Sequence, residues 1–138
     1  MLAAAATSIH PDAPLAGLTV GEMPEPAVPD GWVRVAVGAC SLNHHDLWSL
    51  RGVGLSADRL PMILGCDAAG TLESGDRVLV YSVIGDPAAG GGDETLDPKR
   101  SMLSEVYPGT LAEYVWIPER NVVPLPDDFT MEEGACLP

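Results

Sequence analysis

Frequent chain breakers limit the length of every regular element in this sequence. The 138 residues include 13 prolines and 15 glycines, which lie between short apolar segments. Proline removes a backbone donor and glycine favours turns, so short strands are expected and long helices are not. Residues 32–37 and 77–81 follow the period-two alternation of side chains that is typical of half-buried strands. The pattern predicts a mainly β fold, a barrel of five or six short strands with little helix.

Four further segments are assigned from their local patterns. Residues 1–7 are expected to form an edge strand, and residues 109–117 form the last clear strand, which ends at Pro118. Residues 85–101 are poor in apolar side chains and predict a long loop. Thr130 begins a Thr-x-x-Glu sequence, which is typical of a capping box, so a second short helix is expected to start there.

The overall composition excludes several classes of partner. The net charge of −13 argues against binding to nucleic acid or to anionic membranes, because both need a basic surface. No apolar run reaches the roughly 18 residues of a membrane span. Three cysteines, Cys40, Cys66 and Cys136, give neither a disulfide framework nor a Cys-x-x-Cys pair. We therefore expect a cytoplasmic protein whose partners are small molecules and possible copies of itself.

Four consecutive polar residues follow the strand at residues 33–37. Asn43, His44, His45 and Asp46 stand where the chain turns from this strand into a short helix, predicted at residues 46–51 and closed by a glycine. In one interpretation Asn43 caps the helix, Asp46 lies in its first turn and the histidines are solvated. In the other, the corner holds these groups at the mouth of a cleft.

Six segments together resemble a known family. They match, in order, the N-terminal GroES-like catalytic domain of the medium-chain dehydrogenase/reductase superfamily, at residues 33–37, 41–48, 61–70, 75–78, 109–115 and 121–126. The resemblance implies a GroES-like, partly open β-barrel over residues 1–138. No G-x-G-x-x-G sequence is present, so the chain is expected to be truncated before a nucleotide-binding domain and to be inactive alone.

The resemblance also implies roles for the corner residues. Asn43 matches a position close to the nicotinamide and the substrate carbonyl, and His44 one that often touches the cofactor phosphate. His45 matches a hydroxyl residue that relays a proton, although a histidine satisfied by the backbone is the alternative. Asp46 is the recurrent acid of the corner and joins these catalytic candidates.

Structural roles are also open for several of these side chains. Asp46 is expected to anchor the helix or to pair with Arg51 or Arg77. Trp48 is expected in the wall or core of the domain. Cys40 and Cys136 are expected to be packing residues, and Cys66 is expected to be a small buried hydrophobe rather than a ligand.

Zinc binding is expected to be absent or degenerate. Asn43 stands where zinc alcohol dehydrogenases carry a ligating cysteine, and Gly65-Cys66-Asp67 replaces their Gly-His-Glu. Cys66 and Asp67 remain weak metal candidates if a histidine from elsewhere joins them. The cysteines of the family's structural zinc lobe are missing from residues 85–101. These departures favour the quinone oxidoreductase-like side of the superfamily.

Three functions follow from this resemblance and its departures. The first is part of an NAD- or NADP-dependent oxidoreductase that transfers hydride between nicotinamide and an alcohol, carbonyl or activated alkene. The second is a stand-alone β-barrel binding or interaction module that has lost the chemistry. The third is a metal-dependent alcohol dehydrogenase that uses Cys66 and Asp67.

Overall fold

The computed structural model describes all 138 residues. Most regular structure is in ten strands and two short α-helices. The strands are β1 (Leu2–Ala6), β2 (Leu18–Glu22), β3 (Trp32–Cys40), β4 (Met62–Ile63), β5 (Ala68–Thr71), β6 (Arg77–Val80), β7 (Val83–Ile84), β8 (Ser101–Met102), β9 (Tyr114–Pro118) and β10 (Val122–Pro124). The helices are α1 (His44–Leu50) and α2 (Met131–Gly134). Neither helix has the length and apolar character that would let it cross a bilayer.

A five-stranded antiparallel sheet forms the body of the domain. Its strand order is β10-β6-β5-β3-β9, and a register shift between Val37 and Ala39 interrupts the pairing of β3 with β5. Val35, Val80 and Ile117 project from three of its strands and are fully buried. A curled sheet with little helix confirms the predicted mainly β, partly open barrel.

The N-terminal strand lies in the middle of a second sheet, whose order is β2-β1-β4. The prediction of an edge strand at residues 1–7 is therefore wrong. β1 consists mostly of alanines, of which Ala3, Ala5 and Ala6 are buried. The second neighbour, β4, contributes only Met62 and Ile63, which is too short for a period-two pattern. The same shortness hides β7 and β8, so more strands form than the five or six predicted.

Both predicted helices form. α1 begins at His44, two residues before the predicted start, and Gly52 follows it at a φ of +85°. α2 begins after Thr130, whose hydroxyl accepts the Glu133 N–H at 3.1 Å while the Glu133 carboxylate accepts the Thr130 N–H at 2.8 Å. The capping box predicted from the sequence is thus confirmed.

The predicted long loop connects β7 to β8 and includes one short 3-10 turn. The Asp97 side chain fastens it by accepting the N–H groups of Asp86 and Lys99, both at 2.8 Å. These backbone hydrogen bonds hold the pKa of the Asp97 carboxyl below its usual value. Carboxylate-to-backbone hydrogen bonds therefore organise this loop, which leads through β8 to residues 103–105.

Candidate functional site

Asp46 is a buried carboxylate that joins the two chain segments of the corner by hydrogen bonds. It is 7% exposed, and its two carboxylate oxygens accept the N–H of Asn43 at 2.8 Å and the N–H of Gly65 at 2.9 Å. One bond fixes the start of α1, and the other joins α1 to the segment that carries Cys66. Asp46 is therefore the anchor of the corner, as one of the structural predictions had it.

The predicted pairing of Asp46 with an arginine is wrong. Arg77 instead donates to the carbonyl groups of Pro126, Asp127 and Phe129, because it projects from the far end of β6. Arg51 makes no ion pair; it is exposed at the C-terminal end of α1. Backbone donors satisfy the Asp46 carboxylate in place of a cation.

Asn43 occupies the N-cap position, but its amide nitrogen is directed elsewhere. The amide Nδ2 donates to Asp67 Oδ2 at 2.6 Å, and the Ser41 hydroxyl donates to the same oxygen at 3.1 Å. Asn43 is exposed, and together with Asp46 it forms the capping-box arrangement at the start of α1. Asn43 therefore presents an exposed amide at the corner, held in place by Asp67.

His45 lies in a pocket made by three side chains. Its Nε2 is 3.2 Å from Glu105 Oε1, and its Nδ1 is 3.2 Å from both Cys66 Sγ and Ser104 Oγ. The histidine side chain is only 16% exposed. Side chains, and not the backbone groups of the alternative prediction, satisfy both ring nitrogens. The ring can exchange a proton at each nitrogen, as a relay requires.

Ser104 and Glu105 were not identified from the sequence. They lie about sixty positions after His45 and belong to no recognisable motif. Their contact with His45 forms only when distant parts of the chain fold together. The sequence of residues 101–109 indicates only a turn between two apolar stretches. A non-glycine turn residue with positive φ carries no sequence mark of its own.

The three cysteines have two different environments. Cys66 is 2% exposed, and burial, the largest cause, raises the pKa of its thiol to about 12 against a weaker opposing hydrogen bond with Ser104. The prediction of a buried Cys66 is thus confirmed. Cys40 and Cys136 are both exposed, so their assignment as packing residues is wrong. Cys40 ends β3 and Cys136 follows α2, where the chain leaves the packed layer.

His44 and Trp48 lie on the outer side of α1. His44 is exposed and has no hydrogen-bond partner, and its ring centroid is 6.3 Å from that of Trp48. Trp48 is 50% exposed, so the expected core position is wrong. Next to His44 opens a cleft of about 540 Å³, whose walls are mostly leucine side chains and which Asn43 and Asp46 also line. The corner therefore borders an apolar cavity on this side.

The residues at the zinc position do not form a tetrahedral ligand set. Asn43 and Asp67 are bonded to each other, whereas the Cys66 thiol faces His45 and Ser104. No three histidine, cysteine, aspartate or glutamate side chains converge on a point where a metal ion could sit. The amide of Asn43 is also a poor ligand beside the thiolates and imidazoles that zinc prefers.

Comparison with known proteins identifies the fold family. The model of the alcohol dehydrogenase GroES-like domain matches residues 29–127. A zinc-type alcohol dehydrogenase-like protein of Schizosaccharomyces pombe is 31% identical over 121 residues, covering 88% of this chain and 34% of that protein. An alcohol dehydrogenase of Geobacillus stearothermophilus is 31% identical over 134 residues, covering 87% of this chain and 40% of that protein.

A solved structure agrees with these sequence matches. The crystal structure of an NAD-dependent alcohol dehydrogenase superposes with a TM-score of 0.86 at 31% identity, covering all of this chain and 43% of its own. The chain thus spans between a third and about two fifths of the length of these relatives. It belongs to the alcohol dehydrogenase GroES-like domain family of the medium-chain dehydrogenase/reductase superfamily, as the sequence pattern predicted.

Proposed function

We propose that this chain is the catalytic-domain part of an NAD- or NADP-dependent oxidoreductase acting on a small molecule. The complete enzyme transfers hydride between nicotinamide and an alcohol, carbonyl or activated alkene. The cofactor-binding domain lies outside residues 1–138 in this proposal. The observation that carries it is His45, which is held at both ring nitrogens beside a corner that presents the exposed amide of Asn43.

His45 acts as the general acid or base in this proposal. Oxidation of an alcohol releases a proton, and reduction of a carbonyl consumes one. An imidazole with partners at both nitrogens can take a proton on one side and release it on the other. The partly buried position of the ring, 16% exposed, shields it from bulk water while Glu105 keeps contact with the surface.

Asn43 and His44 bind and orient in this proposal. The fixed Asn43 carbonyl oxygen accepts a hydrogen bond from the substrate or from the nicotinamide amide. The exposed His44 ring donates to a phosphate oxygen of the cofactor, since no group of this chain occupies it. Nicotinamide supplies the hydride acceptor or donor, and the protein supplies orientation and proton transfer.

We further propose that the reaction does not use zinc. Support comes from the Asn43–Asp67 hydrogen bond, which occupies the expected ligand position, and from the buried thiol of Cys66, whose pKa of about 12 disfavours a thiolate. Elemental analysis after dialysis against zinc, without chelator, tests this. We expect well below one equivalent of zinc in both the native protein and Cys66→Ala. A full equivalent that is lost in Cys66→Ala would overturn the zinc-free mechanism.

Activity of the complete protein tests the proposed function directly. NAD(P)H oxidation is measured with panels of aldehydes, ketones and enones for the native protein, His45→Gln and His10→Gln. His10 is an exposed histidine that hydrogen-bonds only Ser8 and the backbone, so it serves as the matched control. We expect kcat to fall by about a hundredfold or more in His45→Gln alone, which is the usual contribution of a general acid or base. Full activity of His45→Gln, or no nicotinamide-dependent turnover of the native protein, would contradict the proposal.

A further inference from the structure

We infer that the turn at residues 103–105 is a positioning device for the His45 ring, with Glu105 as its principal group. Glu105 fixes the proton of the neutral ring on Nε2, and Ser104 holds the ring from the opposite side at Nδ1. Neither residue belongs to the corner that the family resemblance identifies. Their catalytic importance rests on the proposed function of His45, but the tautomer they impose does not.

The chemistry of the contacts decides where the proton lies. A carboxylate only accepts hydrogen bonds, so the 3.2 Å contact between Glu105 Oε1 and His45 Nε2 requires a proton on Nε2. The neutral ring then has a lone pair on Nδ1. The Ser104 hydroxyl, 3.2 Å away, can donate to it. The Cys66 sulfur lies at the same distance, and its thiol donates to the Leu103 carbonyl at 3.6 Å. The carboxylate contact therefore selects the tautomer, and the hydroxyl contact is compatible with it.

The backbone of the turn is strained in a way that serves these contacts. Ser104 has a φ of +64°, and it is the only non-glycine residue with positive φ in the chain. It is fully buried, and its N–H donates to the Tyr107 carbonyl at 2.7 Å. Such conformations persist where the surrounding structure imposes them, and they concentrate at functional sites. Here the strain places successive side chains at the two nitrogens of one ring.

A second segment leaves room for the Glu105 carboxylate. A Cβ atom at Gly54, whose φ is +79°, would lie 2.7 Å from Glu105 Oε1. The absence of a side chain at this position therefore lets the carboxylate reach the histidine. Three separate segments, namely α1, the Gly54 turn and the 103–105 turn, meet at this contact.

The exposure of the contact gives the relay a direction. Ser104 is fully buried and His45 is 16% exposed, while the Glu105 side chain is 24% exposed. A proton taken up at Nδ1, on the Ser104 side, is matched by one released from Nε2 towards Glu105 and water. The charge of the ring is then unchanged and its proton lies on Nδ1, and the reverse exchange restores the Nε2 tautomer. Glu105 is a positioning residue in this scheme and does not touch the substrate.

Nitrogen NMR of the histidine rings tests the inference without any assay of activity. The 138-residue chain is labelled with ¹⁵N, and the His45 ring is assigned through His45→Gln. We expect its neutral form to carry the proton on Nε2 and to show an Nε2–H resonance protected from exchange with water. A proton on Nδ1, or a ring that averages between both tautomers, would overturn the inference.

Variants show which residue protects the His45 Nε2–H from exchange with water. In Glu105→Ala the Nε2–H resonance should be lost to exchange, whereas Glu119→Ala, which removes an exposed carboxylate without a side-chain hydrogen bond, should leave it intact. Gly54→Ala should weaken the resonance by displacing the carboxylate without removing it. If Glu105→Ala fails to fold, Glu105→Gln preserves the size of the side chain and should still increase the exchange rate. An unchanged resonance in the folded variants would show that Glu105 does not hold the ring.

Kinetics of the complete protein separate this inference from the proposed function. Glu105→Ala should lower kcat by roughly tenfold or more with KM for the nicotinamide nucleotide unchanged, as for partners that orient a reacting group. It should cause no further loss in a His45→Gln background. If His45→Gln retains full kcat, the proposed function fails while the NMR result still stands. If only Glu105→Ala retains full kcat, the positioning role fails.

Discussion

Helix α1 separates two environments, although its first two residues are both histidines. His44 is exposed beside the apolar cleft and has no hydrogen-bond partner, whereas His45 is held by Glu105, Ser104 and Cys66 on another side of the helix. Successive residues of a helix project about 100° apart, so neighbours in sequence enter different surroundings. The comparison teaches that residue type alone does not assign a role. The cleft side is suited to binding, and the pocket side is suited to proton transfer.

Removing the common anchor of both sides should strongly lower the stability of the fold. Asp46→Ala leaves the N–H groups of Asn43 and Gly65 without their acceptor. We expect the free energy of unfolding to fall by about 3 kcal/mol, because bonds to a buried charge are lost and their donors remain. Urea denaturation measures this change.

The matched control is Asp128→Ala, which removes an exposed aspartate. It should change the free energy of unfolding by less than about 0.5 kcal/mol. Equal losses in the two variants would show that Asp46 does not join the two sides of the corner.

On the pocket side, the buried Cys66 thiol should make the free energy of unfolding depend on pH in the alkaline range. The pKa of this thiol is about 12 in the folded chain, above the value of about 9 for a free thiol, so the folded state keeps a proton that the unfolded state loses between these values. The free energy of unfolding should therefore be constant below about pH 9 and should fall as pH rises towards about pH 12. Denaturation at several alkaline pH values checks this sign.

Two variants sharpen that test. Cys66→Ala should show a shallower decline than the native protein, whereas Cys136→Ala, which changes an exposed cysteine, should follow the native curve. A thiol reagent at neutral pH should also modify Cys136 and leave Cys66 unmodified until the protein unfolds. Rapid modification of Cys66 in the folded protein would mean that the pocket is open.

The exposed part of the cleft wall should tolerate change with the smallest effect on stability, unlike its buried part. Leu42 is 80% exposed, so Leu42→Ser should alter the free energy of unfolding by less than about 0.5 kcal/mol. Leu50 is 2% exposed, and Leu50→Ala should cost about 2–4 kcal/mol by leaving a cavity. A large loss in Leu42→Ser would mean that the cleft wall is part of the core.

The sequence predicted the general fold and the corner, but not the pocket that surrounds His45. The strand at residues 32–37 and the Thr130 capping box were predicted from near neighbours in the sequence, and both are confirmed. The position of β1 between two strands depends on a two-residue partner, and the approach of Glu105 to His45 depends on the folding of the whole 85–105 segment. Long-range contacts of this kind leave no periodic signal in one sequence.

The division between the two histidines is tested most directly by the kinetics of His44→Gln and His45→Gln in the complete protein. The KM for the nicotinamide nucleotide and kcat are measured for both variants under identical conditions. We predict that His44→Gln raises KM with kcat nearly unchanged, and that His45→Gln lowers kcat by about a hundredfold with KM nearly unchanged. Equal losses of kcat in both variants, or a loss confined to His44→Gln, would contradict the assignment of binding to one side of α1 and proton transfer to the other.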